Sequence, residues 1–510
     1  MSLWQALDAS ARKWPKDIFL TGPLGGDLTR GDLLAQARRV MSALRAWCVR
    51  PGERVAVMAS ASSEVVALQW ALAGLGAIQV PVNTSLRGPL LADLLAETQP
   101  RLIVVDAGQH PKLAELPEDP SREVLILGPS ATAPGSVRTW EAALGFEPGE
   151  PTAMTEHDPL VILFTSGTTG RSKGVVLSHR WGVDYSRRAS QAMGIEAGDR
   201  HYGFLPLFHI AGQYAHVVGA ALAGASVALC APFRAADFWA EVKAWHCTAA
   251  VLMSSMTTVI RQVYSAEGSS LRKLHLIPLP PDFAALGRTL NCHVSTNYGS
   301  TEASIPLMNR SPTDHRSSGM LCEGYEARIV DEWDEELPPG AAGELVLRTS
   351  RPWTVMSEYW GRPEATAASW RNGWLHTGDV FIRRADGQFE FVDRVKDAIR
   401  RKGENISTFE LEMLACLHPD VEEAAAVGID NDAQDQEVVL FYSCKNGQPL
   451  AQVSLLEHLE AVAPRFMVPR FLGQVPALPR TESGKVQKAQ LRNVSLAKLW
   501  DRRAGRPGNR

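Results

Sequence analysis

Along the first half of the chain, short β-branched runs alternate with stretches whose apolar residues recur at helical spacing. RVAVMA (54–59), AIQVPV (77–82) and RLIVVD (101–106) read as strands, and Ser63 to Leu75 reads as a helix between the first two. That rhythm predicts parallel α/β layers. After about Gly319 the pattern changes. YEARIVDEWDEELPPGAAGELVLR holds two strand-like runs around an acidic Pro-Pro-Gly loop, which predicts a smaller β-rich subdomain. A second α/β rhythm follows, with a helix over Thr408 to Leu417, EEAAAVGID and EVVLFYSCK as strands, and a helix from Leu450 to Ala463. The expected fold class is therefore α/β: a large N-terminal domain of α/β subdomains plus a β-rich subdomain, then a small α+β C-terminal domain.

Length supports the division, because 510 residues exceed the roughly 250 to 300 beyond which one hydrophobic core stops growing. Apolar residues make up 45% and charged residues 21%, far from the composition of disorder. A formal charge of -4 provides no basic field for nucleic acid, so a small ligand is the default partner. Seven scattered cysteines without a C-x-x-C pair argue against a zinc or redox site and fit reduced thiols in a cytoplasmic protein. The first residues, MSLWQALDASARKWPKD, mix charge with spaced apolar positions and so lack the unbroken apolar run of an export signal. The apolar stretch Val217 to Pro232 is interrupted by Gly219 and Gly224 and is too short for a span. It predicts a buried helix, turn and strand, and no membrane span is expected.

Chemistry concentrates first in LVILFTSGTTGRSKGVVLSH (160–179), a strand running into a Ser/Thr/Gly loop that ends at Lys173. Gly167, Gly170 and Gly174 allow backbone N–H groups close to an anion. The hydroxyls of Thr165, Ser166, Thr168 and Thr169 add donors, and Lys173 supplies charge. Polyphosphate suits such a loop. The spacing is not that of the P-loop NTPases, since only Arg171 and Ser172 separate Gly170 from Lys173 and no Ser or Thr follows the lysine. Taken by itself, a loop of such small residues is more often a flexible connector than a nucleotide site.

Further strings follow in order: LPLFHIAG (205–212), NYGSTE (297–302), YWGRPEATAASWRNGWLHTGDV (359–380), FVDRVKDAIRRKGENIS (391–407) and PRTESGKVQK (479–488). With the first loop they resemble the motif series of the adenylate-forming superfamily, which includes acyl-CoA synthetases, luciferases and peptide-synthetase adenylation domains. The resemblance covers about residues 5 to 492. It implies an acid–thiol ligase that uses ATP and Mg²⁺ to activate a carboxylic acid as acyl-AMP and then passes the acyl group to coenzyme A. A separate carrier protein as acceptor, or a silent adenylate-binding protein, are the alternatives.

The resemblance also implies residue roles. Ser166, Gly167, Thr168, Thr169, Gly170 and Lys173 would cradle the phosphates, with Thr165 and Glu302 at the magnesium. Tyr298 would stack on adenine, an aromatic face being a flat apolar surface for a base, with Asn297 and Gly299 beside it and Thr301 at the α-phosphate. Asp379 and Arg394 would hold the ribose, a carboxylate being able to accept from two neighbouring hydroxyls. Lys485 would be the mobile cation that offsets charge build-up when carboxylate attacks the α-phosphate. Lys396 would sit in a hinge at 394–397, dividing a domain of 1–393 from a mobile one of 398–510, and Arg400 and Gly403 would approach the pantetheine arm. His209 would line the acyl pocket and gate the thiol, or else be a satisfied core histidine. Nothing in the series sets the oligomeric state, and a homodimer is allowed.

One segment departs from the family. Where relatives carry a Gly-Gly-Ala-Pro turn, this chain has LRKLHLIPLPPDF between Leu271 and Phe283. Glycines give way to bulkier residues there, which predicts restricted backbone approach or a rerouted loop and an altered pocket for the acyl group and adenine.

Overall fold

The computed structural model describes residues 1–505 apart from 118–121, 129–136, 166–172, 265–268, 395–398, 402–403, 407, 431–435, 464–466 and 482–485; at Arg394 and Arg400 it describes the backbone alone. These residues form two compact units. The first takes Met1–Ser166, Ser172–Glu326 and Leu347–Leu375, and the second takes Ala327–Val346 and His376–Arg510. Among the described residues no helix is long and apolar enough to cross a membrane.

Local chemistry sets the element boundaries in the first unit. Helix Leu3–Lys13 opens on a capping box of Ser2 with Gln5, and helix Arg30–Ala46 on one of Thr29 with Asp32, each satisfying two orphan N–H groups. Helix Ser63–Leu75 is capped by Ser62 and stopped by Gly76 at φ 79, a left-handed conformation that favours glycine. It is apolar all round and is buried from Val65 to Leu75, as the absence of a polar face requires.

One sheet of this unit runs in the order Glu358–Tyr359, Lys173–Ser178, Pro159–Thr165, Ile78–Pro81, Arg54–Met58, Leu102–Asp106, Val124–Leu127, Val137–Thr139. Its strands from Ile78 to Thr139 pair in parallel, while Pro159–Thr165 and Lys173–Ser178 form an antiparallel pair. A second sheet runs Ser317–Leu321, Ser304–Asn309, His293–Ser300, Lys273–Ile277, Ala249–Met253, Arg200–Gly203, Ser226–Leu229, Ile18–Thr21, Leu28–Thr29.

Register divides four strands of the second sheet into unlike faces. His201 lies opposite Ala249, Ala249 opposite Lys273, Val251 opposite His275, and His275 opposite Ser295. Because strand side chains alternate with a period of two, His201, Lys273, His275, Ser295 and Asn297 share one face. Tyr202, Ala250, Leu252, Leu274, Leu276 and Val294 share the other, where they pack with Phe238, Val242, Ile260, Phe283, Leu286 and Leu290. The polar face is covered by helix His179–Met193 and the π-helix Ala211–Val218.

The second unit contains the antiparallel pair Leu375–Arg383 and Phe389–Arg394, the short hairpin Ile399–Arg401 with Glu404–Ile406, and a four-stranded sheet of Val421–Asp430, Gln436–Cys444, Phe471–Gln474 and Trp500–Asp501. That last sheet is buried on both faces. Val438, Leu440 and Tyr442 pack with Leu411, Leu455 and Leu459 on one side, and Val427, Val439 and Phe441 with Leu478 and Leu491 on the other.

Candidate active site

Strands Pro159–Thr165 and Lys173–Ser178 pair with Thr165 opposite Lys173, so both residues stand at the base of the predicted phosphate loop. Ser166, Gly167, Thr168, Thr169 and Gly170 lie outside the described residues, as do Lys396, Gly403 and Lys485. The Lys173 ammonium sits 4.6 Å from the centre of the Tyr359 ring, an attractive cation–π arrangement. The Tyr359 hydroxyl in turn donates to Glu302 Oε1 at 3.1 Å. Strand pairing builds this contact, since Tyr359 lies opposite Val175 next to the loop and Met356 N–H donates to the Glu302 carbonyl at 2.8 Å. Burial and the adjacent Glu302 carboxylate push the Tyr359 phenol above its usual range. It stays protonated and keeps its hydrogen for the carboxylate. The structure thus joins two expected site residues, Lys173 and Glu302, through Tyr359, the first residue of YWGRPEA, for which the motif series implies no role.

NYGSTE begins in strand His293–Ser300 and turns into Ser304–Asn309, with Asn297 opposite Met308, Tyr298 opposite Leu307 and Ser300 opposite Ser304. A side chain at Gly299 would bring its Cβ to 2.5 Å from the Ser304 carbonyl, so only glycine fits. Ser300 Oγ accepts from Ala303 N–H at 3.0 Å, and the Tyr325 hydroxyl donates to the Ala303 carbonyl at 3.0 Å. The turn is held from below, while Asn297, Tyr298, Thr301 and Glu302 remain partly exposed.

Glu302 fits the predicted metal by its chemistry. One oxygen is engaged by Tyr359, and Oε2 has no partner among the described residues. Mg²⁺ is usually held through one or two carboxylates together with substrate phosphates and water, so a single half-exposed carboxylate is a sufficient donor.

His209 is half-buried, and its Nδ1 accepts the Ala211 N–H at 3.3 Å. That bond fixes the ring just ahead of the π-helix Ala211–Val218. Gly212 is obligatory in this turn, because a Cβ there would meet the Pro206 carbonyl at 2.3 Å.

Behind NYGSTE, His275 Nε2 lies 2.6 Å from Asn297 Oδ1 and Nδ1 lies 2.8 Å from Ser295 Oγ. Deeper still, the rings of His201 and His216 stack at 5.0 Å. Burial drives the pKa of His201 and of His275 down to about 4, and that of His216 well below the ordinary value. The four nitrogens of His201 and His216 have no hydrogen-bond partner among the described residues. No motif in the sequence marks His201, His216 or His275.

In the second unit Asp379 is buried and lies opposite the Arg394 backbone. Its strand is anchored by Glu344, which accepts from Gly378 N–H at 2.9 Å and pairs with His376 Nδ1 at 2.9 Å. Thr377 Oγ1 accepts from Asp379 N–H at 3.2 Å and donates to the Leu345 carbonyl at 2.7 Å. The residues flanking Lys485 are also tied down: Arg480 bridges Val486, and Gln487 N–H donates to the Pro479 carbonyl at 2.7 Å. Burial raises the pKa of Glu412 while its contact with Lys488, 2.8 Å away, opposes the rise. Arg400 has its backbone in the strand Ile399–Arg401.

Comparison with known proteins gives the family and the fold. Residues 7–360 match the AMP-binding enzyme family and residues 410–485 match the AMP-binding enzyme C-terminal domain. The chain is 31% identical over 470 residues to a crotonobetaine/carnitine–CoA ligase of Salmonella typhi, covering 87% of this chain and 89% of the relative. In fold it resembles an anthranilate CoA ligase solved with anthranoyl-AMP, with a TM-score of 0.88, 24% identity and 96% of each chain covered. It also resembles a benzoate CoA ligase from Burkholderia xenovorans, with a TM-score of 0.86, 21% identity, and 97% of this chain and 100% of the other covered.

Proposed function

The chain belongs to the AMP-binding enzyme family, and from that premise we propose that it is an ATP-dependent acyl-CoA ligase. A substrate carboxylate attacks the α-phosphorus of ATP, the bond to the β-phosphate oxygen breaks, and acyl-AMP and pyrophosphate result. The CoA thiol, losing its proton, then attacks the acyl carbon and expels AMP. The observation that best supports the reading is the Lys173–Tyr359–Glu302 cluster at the foot of the phosphate loop. Lysine suits phosphate and carboxylate suits Mg²⁺, and here both touch one tyrosine.

In this reading Lys173 and the 166–170 loop hold the β- and γ-phosphates, Thr165 and Glu302 meet the metal, and Tyr359 orients the Glu302 carboxylate. The metal, when bound with the nucleotide, neutralises phosphate charge. Asn297, Tyr298 and Gly299 receive the base, Thr301 the α-phosphate, and Asp379 with Arg394 the ribose. His209 borders the acyl pocket. Lys485 stabilises the first transition state. The hinge at 394–397 lets the 398–510 domain exchange Lys485 for the Arg400 and Gly403 region between the two steps.

The test is acid-dependent ATP–pyrophosphate exchange together with CoA thioester formation. The acid panel includes carnitine, crotonobetaine, benzoate and anthranilate, the acids named for the relatives. Exchange with thioester release upholds the reading. Exchange without CoA thioester transfers it to a carrier-protein acceptor, and absence of exchange with every acid sinks it. Lys485→Ala is expected to lower adenylation by about 10²- to 10³-fold, the scale of losing one transition-state donor, while supplied acyl-AMP is still converted to thioester.

A further inference from the structure

The segment Leu271 to Phe283 contains a side chain with a defined partner in the candidate site. Strand Lys273–Ile277 runs parallel to His293–Ser300 and sets His275 opposite Ser295. Asn297 is two residues further along the same face, within reach of the imidazole. His275 Nε2 is 2.6 Å from Asn297 Oδ1, and Nδ1 is 2.8 Å from Ser295 Oγ.

The chemistry of these partners fixes the proton. An amide oxygen accepts only, so Nε2 must carry the hydrogen; Nδ1 is then a lone pair that accepts from the Ser295 hydroxyl. His275 is 3% exposed, and burial holds it neutral at physiological pH. The tautomer is therefore a defined feature of the site. Asn297 is half-buried, its inner oxygen is held, and its amide N–H₂ has no partner among the described residues, which leaves it for a ligand. Without the imidazole donor, the amide could rotate and exchange its oxygen for its nitrogen.

We propose that His275 is a positioning residue for the nucleotide: by donating Nε2–H to Asn297 it sets which face of that amide meets the base, and Ser295 sets the tautomer that allows it. The proposal rests on the reading that Asn297 borders the nucleotide. The strand Lys273–Ile277 then supplies the side-chain anchor for that amide.

The experiment compares wild type, His275→Leu, His275→Gln and Ser295→Ala in pyrophosphate exchange, varying ATP, GTP and acid separately. His275→Leu is expected to raise KM for ATP by about 10-fold, the scale of losing a buried hydrogen bond and leaving its partner unmade. Its preference for ATP over GTP should narrow while KM for the acid is unchanged. His275→Gln, whose amide N–H₂ reaches the same oxygen, is expected to restore most of the ATP affinity, and Ser295→Ala to give a smaller shift in the same direction. A purely structural role predicts lower melting temperature and fewer active molecules with every KM unchanged, and that result overturns the proposal. So does a His275→Gln protein that is folded but no better than His275→Leu. If His275→Leu does not fold, a two-bond nitrogen–proton correlation spectrum of histidine-labelled wild type decides the matter. An Nε2–H signal for His275 that moves on adding AMP supports the proposal; an Nδ1–H tautomer, or a signal AMP leaves unmoved, refutes it. An inactive wild type sinks the ligase reading itself, a different outcome from an active wild type whose His275 variants behave normally.

Discussion

The two faces of the sheet that carries His275 are made by the same strands yet follow opposite rules. On one, Tyr202, Leu252, Leu274 and Leu276 meet Phe238, Ile260 and Leu286 in an apolar layer. On the other, His201, His275 and Ser295 are equally buried, and Lys273 reaches the Asp199 carboxylate and the Gly194 carbonyl at 2.6 Å each. The apolar layer gains stability from area removed from water. The polar layer forgoes much of that gain and leaves the ring nitrogens of His201 and His216 and the hydroxyls of Ser186 and Ser190 without partners among the described residues. A buried polar group left unpaired costs about 1 to 3 kcal/mol, so these residues need a reason other than stability. The polar face ends at Asn297, in the candidate nucleotide segment, and there the burial of polar groups has a use.

The contrast can be broken most directly from the apolar side. Phe238 is fully buried, with ring contacts to Tyr202, Phe233 and Trp239, and Phe238→Ala is expected to destabilise by about 3 to 5 kcal/mol. Urea unfolding measures the loss, and KM for ATP in the folded protein should not move. Next comes acid. His201 and His275 have folded pKa values near 4 against an ordinary 6.5. The unfolded chain therefore binds protons first as pH falls. Stability from these groups is complete above pH 6.5 and declines as pH drops toward 4, by up to about 1.4 kcal/mol per pH unit per histidine. His201→Leu should flatten part of that decline in urea midpoints taken across this range, whereas an unchanged slope would show that His201 is not a source of it. A smaller effect is expected at Tyr359→Phe, which removes the hydroxyl from Glu302 and should raise the Mg²⁺ concentration for half-maximal exchange by about 3- to 10-fold. Last is Ser186→Ala. Its hydroxyl is buried without a partner among the described residues, so removing it should stabilise the fold by about 1 kcal/mol, and a loss of stability in urea unfolding would reveal a bond the polar face does use.

Much of the architecture was legible from pattern. The runs at 54–59, 77–82 and 101–106 are the strands Arg54–Met58, Ile78–Pro81 and Leu102–Asp106, and the helix expected from Ser63 to Leu75 has those ends because Ser62 and Gly76 cap it. Thr408–Cys416, Gln452–Val462 and the strands Val421–Asp430 and Gln436–Cys444 also match their periodicity. The candidate site was legible as motifs, since glycine spacing and a carboxylate beside an aromatic are local signals. The polar face was not. A histidine in a strand points to either side of a sheet, and only the register of His275 with Ser295 reveals that it meets Asn297. Tyr359 was hidden for the same reason, because its partners Lys173 and Glu302 are distant along the chain.

The π-helix Ala211–Val218 leads straight from His209 into the polar face through His216. Such a segment carries an extra residue within its turn. Rewinding the same residues to ordinary α pitch, at about 100° of rotation per residue, would swing everything on their N-terminal side around the axis. His209 would turn away from its present direction although no atom of its own had changed, so the winding of this short segment sets where that imidazole points as much as residue identity does.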